Sequence, residues 1–197
     1  LGMEANFIGG HPMTGSEKTG ILSATNTLLE NAYYIITPTA LTPKEEISEF
    51  RDFVLSLGAI PLILDYKIHD YSTAAISHLP HMIAYSLVNL VRQIDDDKET
   101  MKTIAAGGFK DITRIASSSP VMWQNICASN REPILSLMDQ YLALLTKLRG
   151  YIDSSNEQAL LSFFQQAKDY RDSITLPSVK SPTVYYECFV DLVDETG

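Results

Sequence analysis

The sequence predicts a mainly α-helical protein with a small α/β portion at its N-terminal end. Three observations carry that expectation. One strand–helix–strand pattern lies in the first third, helical periodicity dominates from residue 67 to 173, and no convincing strand interrupts those helices. The α/β portion has the form of the end of a Rossmann-type parallel sheet, and the helical part that of an intertwined domain able to serve as a dimer core.

AYYIITPT (32–39) is an apolar run rich in Tyr and Ile and closed by Thr-Pro, which reads as a buried strand. LTPKEEISEFRDFVLSLGA follows as a helix, with Thr42 expected as N-cap, Pro43 at the first helical position, acids in the first turn and Gly58 at the end. IPLILD (60–65) is the next strand, and the short connections make a βαβ unit. Residues 67–93, 98–106, 120–129, 131–150 and 155–173 carry helical spacing. In 131–150, Ile134, Leu135, Met138, Leu142, Leu145 and Leu148 recur at threes and fours and mark one broad apolar face. TLPSVKSPT (175–183) reads as a linker, and VYYECFVDLV begins a new β-element. These shifts divide the chain into 1–66, the end of the sheet domain; 67–174, the helical domain; and 175–197, the linker and a first strand of something further. Both ends look cut from a longer polypeptide.

Composition narrows the class. The chain has 197 residues, 45% hydrophobic and 20% charged, with a net charge of −9. An acidic balance of that size argues against nucleic-acid and anionic-membrane partners, which need basic surface. A few inward cations could still hold an anionic small molecule. Cys127 and Cys188 are far apart and outside any CxxC spacing, which fits a reducing cytosol. The longest nearly apolar run, Met82 to Val91, is about half the roughly twenty residues a membrane span needs. No basic and apolar leader is present at the start, so a cytoplasmic protein is expected.

Two clusters carry candidate chemistry. GGHPMTGSEKTG (9–20) places His11 before Pro12 among four glycines, so that tight turning is expected. It is either a surface turn with an incidental histidine or a loop that holds an imidazole at a reaction centre. His78 and His81, three apart in SHLPH, share a helical face. HxxH lacks the acidic partner and the i,i+4 geometry of HExxH, so no metal is assigned. Pro80 is expected to kink this helix. In GGFKDITRIASSSPVMW (107–123), a helix from Phe109 would put Lys110, Asp111 and Arg114 on one side, either as a surface ion pair or as a seat for a carboxylate.

GGHPMTGSEKTG, HDYSTAAISHLPH and GGFKDITRIASSSPVMW, in that order and at these separations, resemble the prephenate dehydrogenase family across about residues 5–175. The tail YYECFVDLVDETG resembles the opening strand of an ACT domain, a small ligand-sensing module. The resemblance implies oxidative decarboxylation of prephenate to 4-hydroxyphenylpyruvate in tyrosine synthesis, with hydride transfer to NAD, NADP being the alternative. It implies His11 as the catalytic group on the substrate's ring hydroxyl and Arg114 as the partner of a substrate carboxylate. His81 is the better substrate contact of the two SHLPH histidines. Lys110, Trp123 and Ser16 match pocket positions, and Glu17 and Asp111 gating or ion-pair positions. A homodimer through the helices and tyrosine as a regulatory ligand also follow. Arogenate dehydrogenase is the neighbouring activity, and a non-catalytic dimerisation or regulatory module the alternative class. The GxGxxG strand–turn–helix of dinucleotide binding is not in the sequence. The main cofactor site is therefore expected upstream of Leu1, and these residues alone are expected to be inactive.

Overall fold

The computed structural model describes residues 4–15, 20–21, 24–25 and 27–174. Ser16, Glu17 and the linker and ACT-like strand of 175–197 lie outside the described residues.

A single 3-10 turn, Glu4–Asn6, leads into strand β1, Ile8–Pro12. Strand β2 (Tyr33–Pro38), helix α1 (Lys44–Ser56) and strand β3 (Ile60–Ile63) form the expected βαβ unit. The sheet order is β1-β2-β3, with β2 and β3 parallel and β1 antiparallel to β2. Ile36 on β2 and Val54 on α1 are fully buried, with Ala59, Phe50 and Tyr34 packed around them. Gly58 ends α1 in a left-handed conformation, φ 76°, where a Cβ would be strained.

Two local expectations are corrected here. Pro43, not Thr42, holds the cap position of α1, and no side chain caps that helix. The Thr42 hydroxyl instead accepts the Thr39 N–H at 2.9 Å and donates to the Phe7 carbonyl at 3.3 Å, tying the segment before β1 to the end of β2. The stretch read as a tight turn is strand β1 as far as Pro12. Gly9 and Gly10 lie opposite Thr37 and Ile36, and neither has positive φ. A Cβ on Gly10 would come within 2.7 Å of the Tyr34 hydroxyl, and one on Gly9 would overlap the Thr37 side chain. These glycines give room to neighbouring strand side chains rather than turn the backbone. Pro12 is tolerated because β1 is an edge strand.

The helical part begins at α2, Tyr66–Thr73, where the Asp65 carboxylate accepts the Lys67 N–H at 2.8 Å as N-cap. A π-helical turn, Ala74–His78, joins α2 to α3, Leu79–Ile94. Pro80 explains the turn. It has no N–H, and its ring would meet the carbonyl four residues back, so widening the preceding turn relieves the clash. The Leu79 N–H closes the wide turn on the Ala74 carbonyl. Helices α4 (Thr100–Ile104), α5 (Gly107–Thr113), α6 (Pro120–Ser129), α7 (Arg131–Asp153) and α8 (Glu157–Ser173) follow, with a 3-10 turn at Arg114–Ser117. Ala74, Ile134 and Leu137 form the core where the π turn meets α7.

Because α2, the π turn and α3 are continuous, residues 66–94 form a 29-residue helix long and apolar enough by composition to cross a membrane. That is longer than the apolar run seen in the sequence. His69, Asp70, His78 and His81 lie along it; His69 bonds to Asp70, His81 to the Ser77 carbonyl, and Asp70 and His78 to Asn130 between α6 and α7. Ionisable groups at that density are costly in lipid and ordinary in a helix packed among others.

Candidate active site

A cavity of about 600 Å³ opens where the end of β1 meets the π turn, α3, the 3-10 turn after α5, and α6. Among the described residues, the sheet side supplies residues 11–15. The helical side brings Thr73, His78, His81, Arg114, Trp123 and their neighbours. His11, His81, Arg114 and Trp123, far apart in sequence, thus share one wall-to-wall space.

His11 sits on β1 opposite Ile35, so its ring is positioned by a strand rather than a loop. Its Nδ1 lies 2.8 Å from Nε2 of His69, and Nδ1 of His69 lies 2.9 Å from the Asp70 carboxylate. The two rings meet edge to face at 75°. Burial, reinforced by the neighbouring His69, holds the His11 pKa below the usual 6.5.

His81 donates from Nδ1 to the Ser77 carbonyl, 2.8 Å away, which leaves Nε2 as an acceptor. Its ring stacks on Trp123 with centroids 3.7 Å apart and 25° between planes. Burial lowers its pKa; the Ser77 bond opposes that shift and the Arg114 charge adds to it. His78 packs edge-on against Trp123, and its Nδ1 lies 3.1 Å from the Asn130 side-chain amide. Burial also lowers the His78 pKa, helped by charge on His11, His81 and His69 and opposed by Asp70. All three imidazoles are therefore neutral at neutral pH. The Tyr85 hydroxyl donates to the Ser118 carbonyl at 3.0 Å, pinning the cavity wall behind Trp123.

Among the described residues, two buried polar atoms in these walls have no partner: Thr73 Oγ1 and Trp123 Nε1. A buried donor left unpaired costs roughly 1–3 kcal/mol, and such groups gather where a ligand pairs them. With Arg114, they give the helical side a bias toward donors, suited to anionic oxygens.

Lys110 and Asp111 do not join this cavity. Helix α5 ends at Thr113 and Arg114 begins a tighter 3-10 turn, so the i,i+4 spacing expected from a continuous helix fails. Lys110 instead lines a separate apolar groove between α3, α4 and α5, and Asp111 lines neither space. Among the described residues no group of three or more His, Cys, Asp or Glu side chains is placed to hold a metal.

His69, Asp70 and Asn130 were not singled out as site residues in the sequence. The adjacent His-Asp pair one helical stretch before SHLPH is a visible signal for the first two. Asn130 has none, because only the fold brings it to α2, 60 residues away.

A family model described as prephenate dehydrogenase, dimerization domain, matches residues 65–166, and one described as prephenate dehydrogenase, nucleotide-binding domain, matches residues 1–61. The chain is 39% identical over 191 residues, 97% of its length, to a prephenate dehydrogenase of Bacillus subtilis, and spans 52% of that protein. Its structure is similar to that of an Aquifex aeolicus prephenate dehydrogenase in complex with hydroxyphenyl propionate and NAD+. The TM-score is 0.82 at 31% identity, covering 87% of this chain and 60% of that one. A Synechocystis arogenate dehydrogenase is similar with TM-score 0.77 at 30% identity, covering 84% and 60%. The matched motifs, the sheet-to-helix architecture and the model covering more than half the chain agree: the chain belongs to the prephenate dehydrogenase family.

Proposed function

We propose that these residues form the substrate half of a dehydrogenase that converts prephenate to 4-hydroxyphenylpyruvate and CO2. The single observation that carries this reading is the pairing of a neutral, strand-held imidazole at His11 with an opposite wall rich in donors around Arg114 and Trp123. Prephenate has a ring hydroxyl at one end and carboxylates at the other, and the cavity has the matching polarity.

NAD+, or NADP+, supplies the hydride acceptor when bound. The glycine-rich turn that grips a dinucleotide's phosphates is not in this sequence, so no residue here is assigned to the cofactor. As hydride leaves C4, the attached hydroxyl becomes acidic, and Nε2 of His11 takes its proton. The electron pair of the bond to the C1 carboxylate then enters the ring as CO2 departs. The proton returns to oxygen and the product is a phenol. Arg114 holds a carboxylate of the substrate, and His81, fixed by Ser77 and Trp123, shapes the wall beside it. Ser16 and Glu17, adjoining residue 15 of the cavity wall, are assigned pocket and gating roles on the family resemblance. Lys110 and Asp111 are assigned no contact within this cavity.

We assign residues 1–66 to the sheet domain, 67–174 to a helical substrate and dimerisation domain, and 175–197 to a linker and ACT-like strand. A homodimer forms through the helices. Large apolar side chains there, such as Leu90, Leu142 and Leu145, stay more than two-fifths exposed in the single chain, and the match to a family dimerization domain supports this use of them. Tyrosine binding belongs to the same reading.

The test is turnover by the full-length protein with each of two substrates and each nicotinamide cofactor, following reduced cofactor and CO2 together. Prephenate-dependent release of both is expected. Turnover of arogenate alone would move the protein to the arogenate dehydrogenases, an outcome the Synechocystis similarity makes specific. No turnover of either substrate would leave only the non-catalytic reading.

A further inference from the structure

We propose that Asp70 is a positioning residue that presets the proton positions of two cavity imidazoles in opposite senses. It leaves His11 with a bare Nε2 and His78 with a protonated Nε2. The inference rests on the dehydrogenase reading for its consequences, but its structural content stands by itself.

The first branch runs through the Asp70 side chain. A carboxylate only accepts, so the 2.9 Å contact requires a proton on Nδ1 of His69. At about pH 8, where imidazoles are neutral and carry one N–H, a proton held on Nδ1 leaves Nε2 of His69 as a lone pair. Nδ1 of His11, 2.8 Å away, must donate to it. That leaves Nε2 of His11 without a hydrogen, ready to accept.

The second branch runs through the Asp70 backbone. Its carbonyl also only accepts, and the Asn130 Nδ2 lies 2.9 Å from it. This contact fixes which end of the Asn130 amide is nitrogen. The same nitrogen lies 3.1 Å from Nδ1 of His78, so its second hydrogen makes that ring atom an acceptor. His78 must then carry its proton on Nε2, the nitrogen left over on a ring that lines the cavity. One helical residue thus ties the sheet-borne acceptor to a helix-borne donor, and α6–α7 enters the site through Asn130.

The consequence is a directional cavity. His11 can take a hydroxyl proton but cannot donate to a carboxylate from Nε2. His78 can donate to an anionic substrate oxygen but cannot act as a base there. His78 is therefore a substrate-binding donor for an oxygen anion, beside Arg114 and Trp123.

The experiment reads the ring protons directly. In the full-length protein labelled with 15N-histidine, at about pH 8, where neutral imidazoles dominate, long-range proton–nitrogen correlation separates the two neutral forms. His11 is expected protonated on Nδ1 and His78 on Nε2; either ring in the other form overturns the proposal. In Asp70→Asn an amide can donate to Nδ1 of His69, which reverses that ring and forces the proton of His11 onto Nε2. His78 should not change, because the carbonyl remains. In the full-length protein this variant is expected to lose about 100-fold or more in kcat, with KM within about threefold. His11 remaining on Nδ1 in Asp70→Asn, or a loss carried by KM, overturns the first branch. Asn130→Asp replaces the donor by an acceptor and should move the His78 proton to Nδ1 and raise KM about tenfold, with His11 unchanged; an unmoved His78 overturns the second. The expected ring forms in a protein that turns over neither prephenate nor arogenate would defeat the functional reading while leaving the proton assignment intact.

Discussion

The sheet portion and the helical portion meet at one cavity but are built on different terms. In the sheet portion, three short strands and one helix bury Ile36 and Val54 completely. In the helical portion, seven helices bury a cluster of similar size around Ala74, Ile134 and Leu137, and α8 has no buried residue. Their contributions to the cavity are as unequal in the other direction. Among the described residues, the sheet gives one short segment with one titratable group, His11, and the helices give the other lining residues. On the function proposed above, the sheet is the mount for the reacting group, and the helices are a binding surface with exposed apolar faces such as Leu142 and Leu145.

That contrast breaks most sharply at His11. His11→Asn keeps a polar side chain on β1 but removes the proton acceptor. A fall in kcat of roughly 10²- to 10⁴-fold is expected, with little change in KM, because general-base assistance has that size. Steady-state kinetics of the full-length protein check it. A rise in KM at unchanged kcat would make the sheet residue a binding group and erase the division of labour.

Packing gives the next largest effect. Ile36→Ala deletes methyl groups from a fully buried site and is expected to cost about 2–4 kcal/mol. Leu142→Ala, at a side chain 57% exposed, should cost well under about 1 kcal/mol in the monomer. Urea unfolding of both variants, below the concentration at which copies associate, tests the pair. Equal losses would mean that the helical portion is as tightly built as the sheet.

Arg114→Ala addresses the helical side of the cavity. Loss of a charge-assisted contact to a carboxylate is expected to raise KM roughly 10- to 100-fold with a smaller change in kcat. An unchanged KM would take Arg114 out of the substrate's reach and leave the donor role to His78 and Trp123.

What was legible in the sequence follows the same division. The βαβ unit was readable because strand and helix punctuation is local: Thr37-Pro38 closing β2, acids in the first turn of α1, Gly58 just past its end. Strand β1 was not, because its glycines look like turn residues. Their reason is the Tyr34 and Thr37 side chains across the strand pair, and pairing partners are not visible from one segment. The long helix was legible, but not its π turn, since Pro80 announces a disturbance without saying whether the helix bends or widens. His11, His81, Arg114 and Trp123 were found by family motifs and share one cavity. Lys110 and Asp111, drawn both from the family motif and from helical spacing, do not line this cavity; α5 ends at Thr113 and Arg114 opens a 3-10 turn. Asn130 was invisible because its contacts are made entirely by tertiary folding.

The smallest effect is on pH dependence, and it sharpens the comparison because the two portions share it. His11 from the sheet, and His78 and His81 from the helices, all have their pKa lowered chiefly by burial. The proposed reaction needs His11 neutral, so the acid limb of kcat/KM should lie at lower pH than an ordinary imidazole, with its usual 6.5, would give. The sign for stability is the same. The unfolded chain takes up protons on these rings near 6.5, while the folded chain resists until lower pH. Between those limits the unfolded state binds more protons, so stability rises with pH and is lost on acidification below 6.5. Urea midpoints measured downward from pH 7 should decline, and replacing His11 by Asn should flatten only part of that decline because His78 and His81 remain. A decline abolished by the His11 change alone would place the pH-sensitive burial wholly on the sheet side of the cavity.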